Sequence, residues 1–315
     1  MNKIFSHFKN GSIIDMNDFH VTYKQRMKKG RGTATVYPVM TGIEVIFLDF
    51  KGKQYLPVVH KGGNILEINH CLTGRTECRM SDGLYQYASA GDLLLNSILN
   101  HGDSVELPTG TYKGLVITID IDEADNAVSQ HFYSFQFTLS NITGKFLEKR
   151  DSFIIPAKDE VQRILQDMYT VPEAARPDYF RLKVLELLIY LHYFDPETAP
   201  HYKSYTRQQV DIIKRIQHKL TSELNTRFTI NALAREFNLS PTSLKSGFKA
   251  VYGKAIAEYM QEYRMHKASQ MLRKTDLSIA DISVAVGYAS QSNFGALFRE
   301  TYGKTPLEYR KKYEY

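Results

Sequence analysis

Two short clusters of side chains, offset by 50 positions, carry the chemistry this sequence offers: Thr242, Ser243, Lys245, Ser246 and Lys249 in the first, Gln291, Ser292, Asn293 and Arg299 in the second. Neither cluster is a nucleophile beside a base, a carboxylate pair or a set of metal ligands. They are hydrogen-bond donors and acceptors with added cations. A lysine ammonium can donate to guanine O6 and N7 or to a phosphate, serine and threonine make short contacts to either, and glutamine or asparagine can pair bidentately with adenine. Arg299 suits a phosphate or a carboxylate of its own domain. A solvated helix face is the plain alternative for every one of them, and the choice depends on the elements that carry them.

Both clusters fall at the start of the second helix of a helix, turn, helix pattern. Ser278-Ile-Ala-Asp281 has the form of an N-terminal capping signal, and Ile279, Ile282 and Val286 follow on one helical face. Gly287 supplies a left-handed turn residue, and Ser290 can cap a helix that points Phe294, Leu297, Phe298 and Tyr302 inward. The same unit occurs earlier. Ile230, Leu233, Ala234 and Phe237 stand 49 positions before Ile279, Ile282, Ser283 and Val286. After a one-residue shift in the turn, Ser240, Leu244, Phe248, Tyr252-Gly253-Lys254 and Glu258-Tyr259 precede their counterparts by 50. Asn238 stands in for the turn glycine, and Ser240-Pro241 gives a cap followed by proline at the first helical position. A helix from Gln209 to Leu224 leads into the first unit, and one from Lys254 to Lys274 joins the two. Its 21 residues span roughly 30 Å, near the ~34 Å between successive major-groove faces on one side of B-DNA.

Near the C-terminus Gly287-Tyr288, Ser292-Asn293-Phe294, Phe298-Arg299, Tyr302-Gly303, Thr305-Pro306 and Tyr309-Arg310 form a specific signature. With it, residues 206 to 315 resemble the DNA-binding domain of the AraC/XylS family of bacterial transcription regulators. The resemblance implies two helix-turn-helix units, each sending a recognition helix into double-stranded promoter or operator DNA. It also implies RNA polymerase as a partner and an activator's role. Gly295 and Ala296 depart from the bulky polar residues frequent in that family, so the second unit is expected to make fewer direct base contacts.

Charge divides the chain in the same place. Residues 206 to 315 hold 18 Lys+Arg against 10 Asp+Glu, which leaves 22 against 24 for residues 1 to 205 out of totals of 40 and 34. The half with the repeats is the basic half, as phosphate contact requires. At 315 residues, 43% hydrophobic and 23% charged, the chain has room for two domains of an ordinary soluble protein. It contains no run of 18 apolar residues and no sustained apolar segment at its start, so a cytoplasmic protein without a membrane partner is expected. Cys71 and Cys78 form no CxxC pair and read as structural thiols. A Walker loop, a GxSxG elbow and an HExxH motif are all missing, so no catalytic residue and no cofactor are expected. A DNA-repair methyl acceptor would need a cysteine-rich zinc module, and a nonspecific architectural binder would need a more uniformly basic chain.

The N-terminal part reads differently. Residues 1 to 35 are polar and basic and suggest a loop-rich opening. From Val36 to Asp122 short apolar runs are cut by Gly, Pro, Asn and Asp: Ile43 to Phe50, Ile65 to Leu72, Glu77 to Met80, Leu84 to Tyr87, Asp92 to Leu95 and Leu115 to Ile121. That spacing predicts a β-sandwich or barrel. Glu67 to Gly74, Ala90 to Leu95 and His101 loosely resemble the degenerate cupin barrel that many AraC-type regulators carry as an effector domain. His60, Glu67, His70 and His101 are metal-ligand types, and a metal-dependent cupin enzyme fused to a DNA-binding module is the alternative function. Glu67 and His70, three apart on one strand, should face opposite sides, however, and the His-x-His pair of metal-binding cupins is missing. A metal-free barrel is expected.

Helices from Glu160 to Tyr169 and from Tyr179 to Phe194 follow, the second apolar over more than one face, which suggests packing against the barrel, the first helix and a second subunit, with a plain core helix of its own subunit as the alternative. The expected fold class is therefore α+β: a cupin-like β-barrel (about 36–122) with appended helices (about 159–194) making an effector-binding and dimerisation domain over 1–195, a linker over 196–205, and an all-α DNA-binding domain over 206–315. The expected partners are DNA, a small-molecule effector and a second copy of the chain.

Overall fold

A computed structural model describes residues 6–8, 11–27, 30–60, 64–80, 82–97, 105–130, 138–148, 150, 152–200 and 202–311, which fall into two units, Met1–Thr206 and Arg207–Tyr315. In the first unit β1 (Ser6–Phe8) pairs with β7 (Val58–His60) and β6 (Gln54–Tyr55) with β11 (Val105–Glu106). The remaining strands make one antiparallel sheet. They are β2 (Gly11–Met16), β3 (Val21–Met27), β4 (Gly30–Met40), β5 (Ile43–Gly52), β8 (Ile65–Arg79), β9 (Tyr85–Ser89), β10 (Leu93–Ser97), β12 (Thr111–Asp120) and β13 (Ser152–Ile155). The order is β13-β10-β8-β12-β5-β4-β3-β2, with β9 on the far half of β8.

The central strands of this sheet are buried on both faces, whereas the edge strand β2 is largely exposed. Along β5, Ile43 and Val45 point to one side and Glu44, Ile46, Leu48 and Phe50 to the other, and none of them is exposed. The first side, with Leu66, Ile68, Leu115 and Ile117, packs under α1 (Ile121–Ser129), α2 (Leu139–Leu147), α3 (Asp159–Thr170) and α4 (Arg176–Tyr193). The second side forms its own core with Phe8, Tyr55, Cys71, Leu107, Tyr112 and Val116, so the sheet and its short ribbons cover their own inner face.

The α+β arrangement agrees with the sequence reading, but the sheet begins earlier than expected. Residues 11 to 35 are not a loop-rich opening; they hold β2, β3 and much of β4. In β3, Val21, Tyr23 and Gln25 face the inner core while Thr22, Lys24 and Arg26 alternate outward, and the cations disguised a period-two pattern. The run Ile65 to Leu72 and most of the run Glu77 to Met80 prove to be one strand, β8, in which Leu72 bulges between the partners of Gly114 and Lys113 and Gly74 takes a φ of 96° without breaking the strand. The expected linker also contributes: Tyr85 and Tyr205 exchange backbone hydrogen bonds of 2.8 and 2.9 Å, and Gln86 Nε2 donates to Ser204 Oγ at 3.0 Å.

His70 fastens α3 to the sheet. Gln162 Nε2 lies 3.4 Å from His70 Nε2 and donates to Gly91 O at 2.9 Å, while His70 Nδ1 sits 2.8 Å from the Tyr169 hydroxyl. Burial lowers the imidazole pKa to about 4, so the ring is neutral. Because the folded pKa lies below the unfolded value of 6.5, the unfolded chain binds more protons between those two values. Stability is then complete above about pH 6.5 and falls as the pH drops towards 4, by about 3 kcal/mol from this group. His70→Gln is expected to flatten the fall in melting temperature over that window, and an unchanged pH profile would assign the fall to other groups.

Candidate nucleic-acid interface

The second unit is built by its caps. After α5 (Arg207–Ser222) come α6 (Ile230–Glu236), α7 (Pro241–Tyr252), α8 (Ile256–Lys274), α9 (Ile279–Ala285), α10 (Gln291–Tyr302) and α11 (Pro306–Lys311). Thr229 accepts from the Ala232 N–H, Ser240 from Ser243, Ser278 from Asp281 and Ser290 from Asn293, so both helices of both repeats start on a hydroxyl cap. The turns are left-handed where the sequence placed them, with φ of 52° at Asn238 and 86° at Gly287. Gly253 and Gly303 end α7 and α10 in the same conformation. The joining helix α8 is 19 residues, not 21, because left-handed Gly253 and extended Ala255 keep Lys254 outside it.

The repeat extends to the geometry of its aromatic core. Phe248, Tyr252 and Tyr259 form a triangle with centroid separations of 4.7, 5.4 and 5.0 Å. Phe298, Tyr302 and Tyr309 repeat it at 4.7, 5.3 and 5.2 Å, and the edge-on contact is at 80° in one and 82° in the other. Tyr309 reaches its place because α11, absent from the sequence reading, copies the first turns of α8. Thr305 and Glu308 cap it reciprocally, with Thr305 N donating to Glu308 Oε2 at 2.8 Å and Glu308 N to Thr305 Oγ1 at 3.3 Å.

With the inner faces so occupied, the polar clusters point out. On α7, Leu244, Phe248, Val251 and Tyr252 are buried, while Thr242, Ser243, Lys245 and Lys249 are exposed and Ser246 is half-buried. Thr242, Ser246 and Lys249 share one stripe at i, i+4, i+7 spacing, with Lys245 beside it. Ser243 Oγ is 2.9 Å from the capping Ser240 Oγ, and Ser246 Oγ donates back to Ser243 O at 3.3 Å. Among the described residues neither Lys245 nor Lys249 has an ion-pair partner.

On α10, Gln291, Ser292, Asn293 and Arg299 are exposed around buried Phe294 and Phe298. Ser292, Ala296 and Arg299 occupy the stripe that Thr242, Ser246 and Lys249 occupy on α7, so each of the two helices ends its stripe on a cation. Gly295 replaces Lys245, and the middle of the second stripe is bare. Hydrogen bonds from the Thr305 backbone and side chain hold the Glu308 carboxyl below the usual range, and the charges of Arg299 and Lys304 add to this. Exposed Arg235, Lys267, Arg273 and Lys274 lie outside both clusters. The sequence reading counted them only in the net charge, the one signal they give.

A family model described as a helix-turn-helix domain matches residues 233–312. The probable transcription factor PqrA of Proteus vulgaris is 30% identical over 101 residues, covering 32% of this chain and 81% of that protein. The chain belongs to the AraC/XylS family of transcription regulators. The regulator ExsA of Pseudomonas aeruginosa is 33% identical over 131 residues, 41% of this chain and 46% of ExsA. A crystal structure of the C-terminal domain of the response regulator yesN from Fusobacterium nucleatum is 30% identical, over 32% of this chain and 95% of that one, with a TM-score of 0.30. The AraC/XylS chain spans less than half the length of ExsA and of several other curated relatives.

The metal-ligand types of the first unit do not converge. Glu67 lies on the inner face of the sheet, where Asn96 Nδ2 donates to its Oε2 at 3.2 Å, and His70 lies on the helix side against Tyr169. His101 and the His60 side chain fall outside the described residues. Among the described residues no group of three or more His, Cys, Asp or Glu is placed to hold a metal ion.

Proposed function

We propose that this AraC/XylS chain is a sequence-specific DNA-binding transcription regulator, an activator that engages RNA polymerase in the cytoplasm and answers to a small molecule held in its first, cupin-like unit. The observation that carries the reading is the duplicated unit with matching aromatic triangles, each presenting an exposed polar stripe that ends in a cation. Thr242, Ser243, Lys245 and Ser246 read base edges, Gln291, Ser292 and Asn293 read fewer, and Lys249 and Arg299 hold phosphates. Selection of duplexes from a random pool by the full chain tests this, and recovery of no shared sequence would overturn it. Lys245→Ala is expected to cost about 1 to 3 kcal/mol on the selected site and to relax preference at one position. An equal loss on every sequence would assign Lys245 to phosphate.

An enzymatic reading gains nothing from the cysteines. Burial pushes the Cys71 thiol up to about 12 and that of Cys78 up to about 11, far from the thiolate a methyl acceptor needs.

The functional molecule is a homodimer joined along α4. Phe180, Val184, Leu187, Leu188 and Leu191 are buried in their own core, and Leu182, Ile189 and Tyr193 remain 64%, 38% and 66% exposed. With Glu186, these fall at i, i+4, i+7 and i+11, the spacing of a helix-pairing seam. Two copies on paired half-sites would bind with the avidity of a linked pair. Ile189→Glu is expected to leave the chain folded and shift it to monomer in light scattering. A wild type that is monomeric with and without DNA defeats the idea.

A further inference from the structure

The helix-facing side of the first unit's sheet is covered only in part. Helices α3 and α4 reach along it as far as Phe47 of β5, whose ring lies 5.6 Å from that of Tyr169 and 5.5 Å from that of Phe180. Thr35 and Leu115 share the row of Phe47, and beyond them the same face turns polar. The next row carries Lys24 of β3, Thr33 of β4, Asp49 of β5 and Lys113 of β12, each in register with its neighbour. After it come Arg26, Arg31, Lys51 and Thr111 on the same four strands. All four of these last are exposed, and Asp49 and Lys113 are 44% and 51% exposed. Five cations thus share the face with one carboxylate, in a part of the chain where residues 1 to 205 hold 22 Lys+Arg against 24 Asp+Glu.

The one carboxylate is taken, since Lys113 Nζ lies 2.7 Å from Asp49 Oδ2. Among the described residues Lys24, Arg26, Arg31 and Lys51 have no ion-pair partner. Directly opposed residues of an antiparallel pair stand about 4.5 to 5.5 Å apart at their Cα atoms, so Arg26, Arg31 and Lys51 crowd three positive charges into about 10 Å. Like charges so placed weaken a sheet, and an anion laid along the row relieves them. The shape of the face selects the anion. Small-molecule sites are concave, and this one is an open sheet surface. A peptide that adds to a sheet needs a free edge, whereas β3, β4 and β5 are hydrogen-bonded on both sides. A nucleic-acid backbone needs neither: it offers a charge for about every 3.4 Å of rise on each strand, guanidinium groups take its oxygens two at a time, and the hydroxyls of Thr33 and Thr111 can add to them. The second unit brings DNA to the chain, and a weak contact tethered to it acts at high effective concentration.

We propose that this cationic face of the first unit is a second contact for DNA, in which Arg26, Arg31 and Lys51, with Lys24 beside them, take backbone phosphates of the duplex flanking the site that the second unit reads. The contact adds affinity and carries no sequence preference. It rests on the reading of the chain as a DNA-binding regulator and extends that role to the first unit.

The test titrates the full chain against two duplexes, one trimmed to the selected site and one extended by about two helical turns on each side. On the long duplex the slope of log affinity against log salt is expected to exceed that on the short one by about two to three. Replacing the row together, Arg26→Gln with Arg31→Gln and Lys51→Gln, should abolish that difference and leave binding of the short duplex as in wild type. The triple variant should also melt no lower than wild type at low salt, because it removes opposed like charges. Arg31→Gln alone should lower the long-duplex slope by about one, and it keeps the test decisive if the triple variant is not folded. Arg79, Arg150 and Arg163 are exposed elsewhere in the unit. Their joint replacement by Gln changes the net charge equally and is expected to leave the long-duplex slope unchanged. Equal wild-type slopes on the two duplexes, an unchanged slope in both variants of the row, or the same loss in the control overturns the assignment. A row whose replacement weakens binding of polyglutamate or pyrophosphate but not of the long duplex overturns it too. In each case specific binding of the short duplex leaves the reading of the second unit intact, and only its absence would sink that reading.

Discussion

Gly287→Ala is expected to destabilise the second unit by about 2 to 5 kcal/mol, of which about 1 to 2 is the cost of a left-handed non-glycine residue and the rest is overlap. Gly287 has φ of 86°, and a Cβ there would stand 2.1 Å from the carbonyl oxygen of Leu224. That oxygen cannot retreat freely, because Arg264 Nη2 donates to it at 2.9 Å and the same guanidinium lies over the Tyr288 ring. The turn of the second helix-turn-helix is thus pressed against the segment that follows α5, through a side chain of the joining helix, and this contact ties the two repeats into one body. Gly303 is the control. It has a similar φ of 69° but nothing within 4 Å of a Cβ, so Gly303→Ala should cost only about 1 to 2 kcal/mol. Since domains hold about 5 to 15 kcal/mol in all, Gly287→Ala alone threatens folding and DNA binding together. Thermal unfolding of the two variants decides the matter: similar melting temperatures would mean that the close approach of backbone to Gly287 carries no weight.

The helical half of the molecule was legible because its signals are local. Capping hydroxyls, turn residues and one-face periodicity each act within a few residues, so Ser240, Gly287 and Phe298 could be assigned without any partner in view. The exception, α11, is six residues long, too short to show periodicity, although Tyr309 already matched Tyr259 across the repeat. The N-terminal half depends on partners far along the chain. β13 exists because Ile155 pairs with Leu93, and nothing near Ile155 announces that strand. Tyr205 looked like linker until it met Tyr85. The cationic row is hidden more deeply: Arg26, Arg31 and Lys51 lie on separate strands, and only register brings them side by side. Exposed polar stripes on α7 and α10 were readable for the opposite reason, since their burial pattern is fixed by the helix that bears them.

Affinity for the selected duplex should fall about a thousandfold between 50 and 200 mM salt, the slope expected when about six phosphates are neutralised. The basis is the division of charge, 18 cations against 10 anions in residues 206 to 315, and the placement of Lys249 and Arg299 at equivalent ends of two stripes. Each of those cations is held by its helix rather than by a neighbouring anion in contact, although Arg299 lies near enough to Glu308 to act on its carboxyl. Lys249→Ala and Arg299→Ala are therefore expected to reduce the slope of log affinity against log salt by about one each, uniformly across sequences. The smaller reduction should come from Arg299, which gives part of its field to Glu308. Lys245→Ala is expected to leave the slope nearly unchanged and alter preference instead, because a base contact releases no counterion from the backbone. Titrations of the full chain at several salt concentrations measure all three. A slope near one or two for the wild type would mean that the stripes do not face the phosphates, and an unchanged slope in both Lys249→Ala and Arg299→Ala would remove these two residues from the interface.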